Sequence, residues 1–464
     1  MSAIDRVIEG GFCIGCGSCA HLRPDTFSVG MDASGCMAAR RLRPDAPQER
    51  DLSPLCPMTG EGLDETALAG ELFADAPVDP QIGRHVLTGL GWVETGEFRM
   101  RGSSGGLLSW TACRLLELGE VDEVIHVAPT APGTDALFAY RVSRSPADVM
   151  DGAKSRYYPI QAKGVLDHLR ASQARAAFVG LPCFVKAMRL LLRDDPALAA
   201  KVPYILGLVC GHLKSARFAE LLAWQKGIAP QDLSSIDFRD KIEGRRASAY
   251  GVRARASDGR EIATPMADLI GKDWGQGMLK YHACEFCDDV LAECADLAVG
   301  DAWLPGWSDD WRGANVFVAR HPRIVALIRE AGETGDLRFE ATNPATVARS
   351  QSSGLSHRRE GLAWRLANAR KAGRWVPRKR AALLPVAVGS ARGLVYAARL
   401  RILRDSHTVF TQARQAGDLS IFIVGMGPAL KQYAHAMAKR RLLRKRIWPM
   451  LAGGAWARRI LGLG

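Results

Sequence analysis

Short apolar runs of strand length alternate with helical patterns in the middle of this chain. Residues 176–183 (AAFVGLPC) and 204–210 (YILGLVC) are rich in β-branched and aromatic residues, and each run ends at a cysteine. A helical pattern over residues 185–192 follows the first run. Strands that alternate with helices predict a parallel sheet, and open sheets of this kind bind ligands beyond the carboxyl ends of their strands. We therefore expect Cys183 and Cys210 at a ligand-binding edge.

The same alternation of strands and helices predicts the first elements of this central region, which we call the body. Residues 84–93 (RHVLTGLGWV) are its predicted first strand, and residues 121–128 are the next. Between them, residues 107–118 have the pattern of a helix that Gly119 ends. The predicted fold class is an α/β body with a mixed or parallel sheet and flanking helices.

The most specific local motif lies near the N-terminus. Residues 13–19 read CIGCGSC, and Cys56 is followed by Pro57. The spacing C-x2-C-x2-C with a distant Cys-Pro is typical of a four-iron cluster, because three thiolates cover one face of the cluster and the remote cysteine binds the fourth corner. Zinc is the alternative, although structural zinc sites usually have paired C-x2-C units. The predicted ligands are Cys13, Cys16, Cys19 and Cys56.

A second set of thiols is predicted at the sheet edge. Cys284 and Cys287 have C-x2-C spacing, which lets the backbone turn both sulfurs toward one centre. Together with Cys183 and Cys210 they make four thiolates, the full ligand set of a second four-iron cluster. The alternative is that strand-end cysteines are simply small, buried apolar residues. The remaining interpretations are that Cys36 is a structural thiol and that Cys113 belongs to the core.

A candidate phosphate-binding segment opens the first helix of the body. Residues 101–106 (RGSSGG) offer Ser103 and Ser104 as N-caps, and the exposed amides of a helix start attract phosphate. This pattern indicates a site for a cofactor pyrophosphate. Capping alone is the alternative explanation, because the segment matches neither G-x-G-x-x-G nor a P-loop.

Two basic segments follow that segment. In residues 151–159 (DGAKSRYYP), Lys154 and Arg156 have the charge to pair with phosphate, while Tyr157 or Tyr158 has the ring to stack on a cofactor. An ordinary surface turn is the alternative. Residues 236–241 (IDFRDK) place basic residues beside an acidic pair, and a solvated run of charges explains them equally well.

Length and composition indicate three units in a reducing compartment. We predict a small ferredoxin-like α+β module at residues 1–60, an acidic linker at 61–80, the α/β body at 79–370 and a basic helical extension at 371–464. The N-terminus contains acids and no apolar run, and no stretch reaches the roughly 18 uncharged apolar residues of a membrane span, so we expect a cytoplasmic protein. Eleven clustered cysteines favour metal ligation over disulfides.

The net charge of +13 is concentrated in the C-terminal extension. From residue 361 onward, 21 Lys and Arg residues stand against two Asp residues. Residues 439–446 (KRRLLRKR) run into Ile447 and Trp448, a pattern typical of a basic amphipathic helix at an anionic membrane surface or on an acidic partner. The alternative is a helical appendage that packs on the body or on another subunit. No nucleic-acid partner is expected, because no binding motif accompanies the charge.

The order of these motifs resembles that of the coenzyme F420 hydrogenase/dehydrogenase beta-subunit family. Members of that family have a Gly-Gly turn that opens a helix, a basic-Tyr loop, a Pro-Cys after one strand, a Cys after the next, and a C-x2-C followed by an Ala-Asp run. The corresponding residues here are Gly105-Gly106, Arg156-Tyr157, Pro182-Cys183, Cys210, Cys284 with Cys287, and Ala295-Asp296. The resemblance covers residues 84–320, and the N-terminal module is a common addition.

The resemblance implies a flavoprotein that holds FAD beside a four-iron cluster in the α/β body. By position, Cys183, Cys210, Cys284 and Cys287 match the cluster ligands of the family. The segments that match its flavin-contacting residues are Ser103, Ser104, Gly105, Gly106 and the loop from Lys154 through Arg156 to Tyr157. Cys294 matches a position that members can fill with an apolar residue, so it is not assigned as a ligand. Arg156 stands where members often have Lys.

Two functions follow as expectations. The first is an iron-sulfur flavoprotein oxidoreductase that passes electrons between two 4Fe-4S clusters and FAD, with hydride transfer to or from a small substrate such as coenzyme F420 or a polysaccharide-pathway intermediate. The second is a non-catalytic electron-transfer subunit that serves a partner redox enzyme. The expected partners are a small-molecule substrate, a soluble electron donor or acceptor of the ferredoxin or deazaflavin type, and the inner face of the membrane through the basic tail. A zinc-binding interaction protein is a third alternative.

Overall fold

The N-terminal module is built from two short helices and a two-stranded antiparallel sheet. The computed structural model describes residues 2–43, 50–131, 133–380 and 391–452, with side chains described up to residue 442. Helix α1 begins at a capping box, in which Ser2 and Asp5 satisfy each other's backbone N–H groups. The elements of the module are α1 (Ala3–Glu9), α2 (Ser18–Leu22), β1 (Phe27–Met31) and β2 (Met37–Arg41).

The predicted acidic linker is wrong in one respect, because it contains a packed helix. Glu65 begins this helix and is buried, and its carboxylate lies 3.2 Å from Lys186 Nζ and 3.4 Å from Arg380 Nε. Leu68 and Ala69 of the same helix are buried, so the segment forms part of the core. The elements of this segment are α3 (Glu65–Leu72), β3 (Val78–Asp79) and β4 (Gly83–Arg84).

An eight-stranded sheet forms the centre of the body. Its order is β15-β5-β14-β13-β9-β8-β6-β7, and the strands β10, β11 and β12 form a separate antiparallel sheet. The predicted strands at 84–93, 121–128, 176–183 and 204–210 are confirmed as β5, β6, β8 and β9. The bounds are β5 (Leu87–Val93), β6 (Glu123–Pro129), β7 (Phe138–Ser143), β8 (Ala176–Gly180), β9 (Tyr204–Leu208), β10 (Leu233–Asp240), β11 (Gly251–Ala256), β12 (Glu261–Pro265), β13 (Leu297–Asp301), β14 (Asn315–Ala319) and β15 (Leu337–Ala341).

The sheet is mixed, and only its four central strands pair with one another in parallel. The pairs β13 with β9, β9 with β8, and β8 with β6 are parallel, whereas the pairs β13 with β14, β14 with β5, β5 with β15, and β6 with β7 are antiparallel. No α-helix lies in the described chain between β13 and β14, so the two strands pair as a hairpin. The predicted α/β body with a mixed or parallel sheet is therefore confirmed, and the sheet is of the mixed kind.

Helices cover the faces of this sheet. The predicted helix at 107–118 is confirmed as α5, and the pattern at 185–192 lies inside α8. The remaining helices include a π-helical turn at His357–Gly361. The bounds are α4 (Phe98–Arg101), α5 (Leu107–Glu117), α6 (Pro146–Asp151), α7 (Lys163–Ala171), α8 (Pro182–Asp194), α9 (Pro196–Ala199), α10 (Ala216–Trp224), α11 (Pro322–Thr334), α12 (Pro344–Ser350), α13 (Ser352–Ser356) and α14 (Leu362–Lys371).

The C-terminal extension is helical, as predicted, and packs on the body. Helices α15 (Ala391–Ala416) and α16 (Leu419–Ala452) form a hairpin joined at Gly417 and Asp418. Its apolar residues share a core with α10 and the β10–β12 sheet, a core that includes Phe410, Phe422 and Phe218. This packing agrees with the appendage alternative. The side chains of residues 443–452, and residues 453–464 altogether, lie outside the described part, so the predicted basic helix with Trp448 is described by backbone alone and only in part.

None of the described helices is both long enough and apolar enough to cross a bilayer.

Candidate functional site

Four N-terminal thiols surround one small cavity. Cys13 and Cys16 lie in the loop before α2, Cys19 lies within α2, and Cys56 follows a 3-10 turn at Ser53–Leu55. All four line a cavity of about 30 Å³ whose other walls are mainly apolar. The structure therefore brings together the four residues that the C-x2-C-x2-C and Cys-Pro motifs predict as one ligand set. We call this the outer thiol site.

Burial keeps the free thiols of the outer site protonated. Desolvation raises the pKa of Cys13 to about 11 and that of Cys56 to about 12. Two backbone amides, those of Gly15 and Ala39, donate to the Cys13 sulfur at 3.4 and 3.3 Å. Amide donors stabilise thiolate ligands, and a bound metal centre supplies the positive charge that deprotonates such thiols. The donor set and its surroundings fit an iron-sulfur cluster.

Four further thiols lie together beyond the sheet edge. Cys183 follows β8 at the start of α8, and Cys210 follows the parallel neighbour β9, so both lie beyond the same edge. Cys284 lies on the 3-10 turn His282–Phe286, and Cys287 immediately follows that turn. Desolvation, followed by the charges of Cys287, Cys210 and Cys284, raises the pKa of Cys183 well above its usual value. The structure thus groups these four predicted ligands, and we call the group the inner thiol site.

A buried guanidinium accompanies the inner thiol site. Arg358 is 2% exposed and lies in the π-helical turn at His357–Gly361. Its guanidinium donates to Gly211 O, with a nitrogen–oxygen distance of 2.7 Å. Burial opposes its charge, but the neighbouring Cys287 and Cys210 outweigh burial and raise the pKa of Arg358. The guanidinium is therefore placed to compensate the negative charge of bound thiolates. Sequence reasoning missed this residue, because an arginine in the run HRRE has no local signal for burial.

The two thiol sites are close to each other. The charge of Cys16 in the outer site contributes to the raised pKa of Cys183 in the inner site. Tyr140 lies near both sites. Burial raises the pKa of its phenol, and the charges of Cys183 and Cys16 raise it further. The outer site is also tied to the body by the backbone, since Ala162 N–H, just before α7, donates to Cys16 O at 3.0 Å.

The remaining three cysteines are assigned to neither thiol site. Cys113 is fully buried inside α5, which agrees with its interpretation as a core residue. Cys294 is 1% exposed, and its thiol donates to Glu65 O at 3.6 Å. Cys36 lies near Tyr281, and its structural role stays a prediction. Among the described residues, no three His, Cys, Asp or Glu side chains are placed to hold a single metal ion.

A large cavity adjoins the inner thiol site. Its volume is about 700 Å³, within the range of roughly 300–1,000 Å³ that is typical of ligand sites. Cys210 lines it at one point, so the cavity meets the inner site directly. The predicted flavin-contacting residues that line it are Ser103, Ser104, Gly106, Lys154, Arg156 and Tyr157.

The two serines do not cap α5, contrary to the sequence-based prediction. Gly106 is the N-cap residue, and the amide of Leu107 donates instead to Asn315 Oδ1 on β14, at 3.0 Å. Ser104 Oγ donates to Ala314 O at 2.7 Å, and Ser103 Oγ accepts from the Ser155 amide at 2.7 Å. Ser103 therefore joins the predicted phosphate segment to the basic loop.

Gly105 has a packing role that its motif does not reveal. A Cβ atom at this position would lie 2.7 Å from both Asn315 Oδ1 and Gly91 O. Gly105 is not among the residues that line the large cavity. Gly106 does line it, with φ at +86° in the left-handed region, which glycine adopts without strain.

Replacing Gly105 with alanine is expected to destabilise the fold by about 1–3 kcal/mol, because the new methyl group overlaps backbone and side-chain atoms of two strands. Chemical denaturation followed by far-UV circular dichroism measures the change. Gly70→Ala is the matched control, since a Cβ there meets nothing within 4 Å and alanine favours the helix by roughly 0.5–1 kcal/mol. Equal stability of the two variants would contradict the packing role.

The basic loop contacts the cavity through three predicted residues. Lys154 Nζ lies 2.8 Å from Asp237 Oδ2, and the backbone of Lys154 has φ at +111°. The Arg156 guanidinium lies over the Phe138 ring at 5.0 Å, and its Nε is buried with no hydrogen-bond partner among the described residues. The Tyr157 ring packs against Trp274 with centroids 4.5 Å apart. The loop is thus built into the cavity wall and is not an ordinary surface turn.

The charged segment at 236–241 is buried as well. Arg239 is 3% exposed, lies 3.0 Å from Asp301 Oδ1 and stacks over Tyr250 at 4.3 Å. Arg239 and Asp301 both line the large cavity, so the alternative of a solvated charge run is wrong for Arg239. Lys241 instead donates to Arg312 O at 2.7 Å, and burial lowers its pKa to about 7.

Two family profiles match consecutive parts of the chain. The profile for the N-terminal part of the coenzyme F420 hydrogenase/dehydrogenase beta subunit matches residues 89–167, and the profile for its C-terminal part matches residues 173–345. No curated protein matches the chain. Among solved structures, a chain in a xenon-derivatised F420-reducing NiFe hydrogenase complex from Methanosarcina barkeri is similar, at 14% identity and a TM-score of 0.48, over 65% of this chain and 98% of that one. By its two profile matches, this chain belongs to the coenzyme F420 hydrogenase/dehydrogenase beta-subunit family of oxidoreductases.

Proposed function

We propose that this protein is an iron-sulfur flavoprotein oxidoreductase that passes electrons between two 4Fe-4S clusters and FAD and acts on a small substrate in the large cavity. The observation that carries this proposal is the shared position of Cys210. This residue belongs to the inner thiol site and also lines the cavity that contains the predicted flavin-contacting residues. A redox centre held by Cys210 and a cofactor held by that cavity would therefore be neighbours.

The two thiol sites have different surroundings, and each suits a cluster. The outer site, Cys13, Cys16, Cys19 and Cys56, has mainly apolar walls. The inner site, Cys183, Cys210, Cys284 and Cys287, includes the buried Arg358. Net charge and hydrogen bonds to sulfur set cluster potentials, so the guanidinium favours the reduced state of the inner centre relative to the outer one.

The cavity residues fit a flavin dinucleotide. Arg156 and Arg239 each have a buried Nε without a hydrogen-bond partner among the described residues, and both line the cavity. The two terminal nitrogens of Arg239 are already paired with Asp301, so Arg156 is the better placed of the two to bind a phosphate group. Tyr157 and Trp274 offer rings against which a planar cofactor packs. Bound FAD would supply the exchange between single-electron carriers and a two-electron hydride transfer. Ser103 and the Ser155 amide position the basic loop around that site.

The three predicted units stay part of this proposal. In it, residues 1–60 hold the outer cluster and exchange electrons with a soluble carrier of the ferredoxin or deazaflavin type. Residues 79–370 hold the inner cluster and FAD. Residues 371–464 include the hairpin that packs on the body, and contact with an anionic membrane surface through the basic tail stays a prediction. Turnover of a small molecule by the isolated protein distinguishes an enzyme from a non-catalytic electron-transfer subunit.

An anaerobic cofactor assay tests the proposal. Iron, acid-labile sulfide, zinc and released flavin are measured on the purified, reconstituted protein together with its visible spectrum. We expect about eight iron atoms and one FAD per chain, as two four-iron clusters and one flavin require. Stoichiometric zinc without flavin would overturn the proposal and favour a metal-stabilised binding protein.

A further inference from the structure

One wall of the large cavity holds a buried lysine. Lys214 is 1% exposed, and its ammonium group donates to Met278 O at 2.5 Å. Its other close contacts are the faces of Phe218 at 4.2 Å and Trp274 at 4.7 Å. In the described part of the chain, no carboxylate forms an ion pair with it. An ammonium group has three donors, so Lys214 retains donors for a ligand in the cavity.

Two more side chains on the same wall each have one buried nitrogen without a hydrogen-bond partner among the described residues. His212 stacks on Trp274 with centroids 4.3 Å apart, and its buried Nε2 has no hydrogen-bond partner in the described residues. Arg399 reaches the cavity from α15, and its buried Nε is unpartnered by the same criterion. The neighbouring Lys280 differs, because its ammonium group is paired with Glu285. Burial, followed by neighbouring positive charges, lowers the pKa of both Lys214 and His212 well below their ordinary values. Leaving buried nitrogen donors unpaired is costly, so such a group indicates that a ligand completes it.

The C-terminal hairpin holds this wall in position. Ser406 Oγ on α15 accepts from the Leu279 amide at 2.9 Å, and a ring nitrogen of His407 lies 2.9 Å from Lys280 O. The segment they hold includes Met278, the acceptor for Lys214, and Leu279 there has φ at +51°. A non-glycine residue in that conformation is strained and is maintained only by its surroundings. The hairpin lies outside the matched family profiles, which end at residue 345.

We infer that Lys214, His212 and Arg399 form an anion-binding subsite in the large cavity, assembled with the C-terminal hairpin, and that it takes the carboxylate or phosphate group of an anionic substrate. This inference rests on the proposed function for its statement that the ligand is a substrate. Ser103, Arg156 and Arg239 lie on other elements of the same cavity and are assigned to the cofactor. In this inference the protein has separate nitrogen donors for cofactor and substrate.

Calorimetric titration of the full-length protein tests the subsite. The probes are inorganic phosphate and oxalate, added separately in a buffer without either anion, so that the two arms distinguish phosphate from carboxylate recognition. We expect at least one probe to bind at one site per chain. Lys214→Met and Arg399→Met should each weaken that binding by about tenfold or more, because a hydrogen bond to a charged group is lost.

The matched control is Lys226→Met, which removes an exposed lysine of the same type and should leave the affinity unchanged. Lys214→Met removes a buried charge while keeping the side-chain length, so folding is not expected to suffer.

FAD and iron are measured on every sample. Loss of FAD in Lys214→Met alone would assign the lysine to the cofactor and overturn the inference. Wild-type protein that binds neither probe, or a Lys214→Met variant with wild-type affinity, would overturn it as well. Absence of FAD and iron from the wild type would count against the proposed function and leave the anion titration interpretable.

Discussion

Replacing Cys284 with serine is expected to remove about half of the iron and labile sulfide, roughly four of eight iron atoms per chain, and to leave the other cluster in place. Cys284 belongs to the inner thiol site, where its sulfur accepts from the Leu213 amide at 3.2 Å. The outer site draws its four thiols from a different part of the chain and lines its own cavity. Iron and sulfide analysis, with electron paramagnetic resonance of the reduced protein, measures the loss.

The reciprocal variant and a matched control make this result specific. Cys16→Ser should remove the other half of the iron, with a different resonance signal surviving. Cys113→Ser changes an equally buried cysteine that lies in α5, away from both thiol sites, and should keep the full iron content. If Cys284→Ser lost both clusters while circular dichroism showed an intact fold, the assignment of two independent ligand sets would be wrong.

Replacing Glu285 with glutamine is expected to destabilise the protein by about 3–5 kcal/mol, the cost of breaking a buried ion pair by removing one partner. Glu285 is 1% exposed and lies between the two cysteines of the inner C-x2-C motif. Its carboxylate pairs with Lys280, and Oε2 lies 2.9 Å from Arg365 Nε. Burial opposes the charge of Glu285, but Lys280 and Arg365 outweigh burial and lower its pKa to about 2. The glutamine keeps the shape and leaves two buried cations without their anion.

Anaerobic urea denaturation, followed by far-UV circular dichroism, measures this loss. Glu243→Gln is the control, because Glu243 is exposed and its replacement should change stability by less than about 0.5 kcal/mol. A Glu285→Gln variant as stable as this control would show that the buried carboxylate is not needed to neutralise Lys280 and Arg365. Glu285 and Cys284 are neighbours on the 3-10 turn His282–Phe286. The ion pairs of Glu285 with Lys280 and Arg365 therefore also hold in place the turn that carries Cys284.

Local patterns in the sequence were enough to predict much of the fold. The strands before Cys183 and Cys210, the helix α5 and the helical extension are all confirmed, because hydrophobic period and glycine or proline punctuation are properties of neighbouring residues. The grouping of Cys13, Cys16 and Cys19 follows from spacing within seven residues. The order of the cysteine and glycine motifs was also sufficient to indicate the family that the profiles match.

Several predictions failed where the deciding contact is distant in sequence. Ser103 and Ser104 were expected to cap α5, but Asn315, more than 200 residues away, supplies the acceptor from β14. The segment predicted as an acidic linker contains a packed helix, in which Glu65 is buried against Lys186 and Arg380. No local pattern reports such partners, because each becomes adjacent only when the sheet has formed.

Periodicity and spacing along the chain were enough to predict most strands and helices of this protein. They also predicted the cysteine motifs and the strand ends at which Cys183 and Cys210 lie. Tertiary packing placed Cys210 in both the inner thiol site and the large cavity, brought Arg358 into the inner site from a π-helical turn, and joined Lys214 and Arg399 at one wall. The physical reason is that periodicity and spacing act over a few residues, whereas burial of charge depends on which distant segments pack around it.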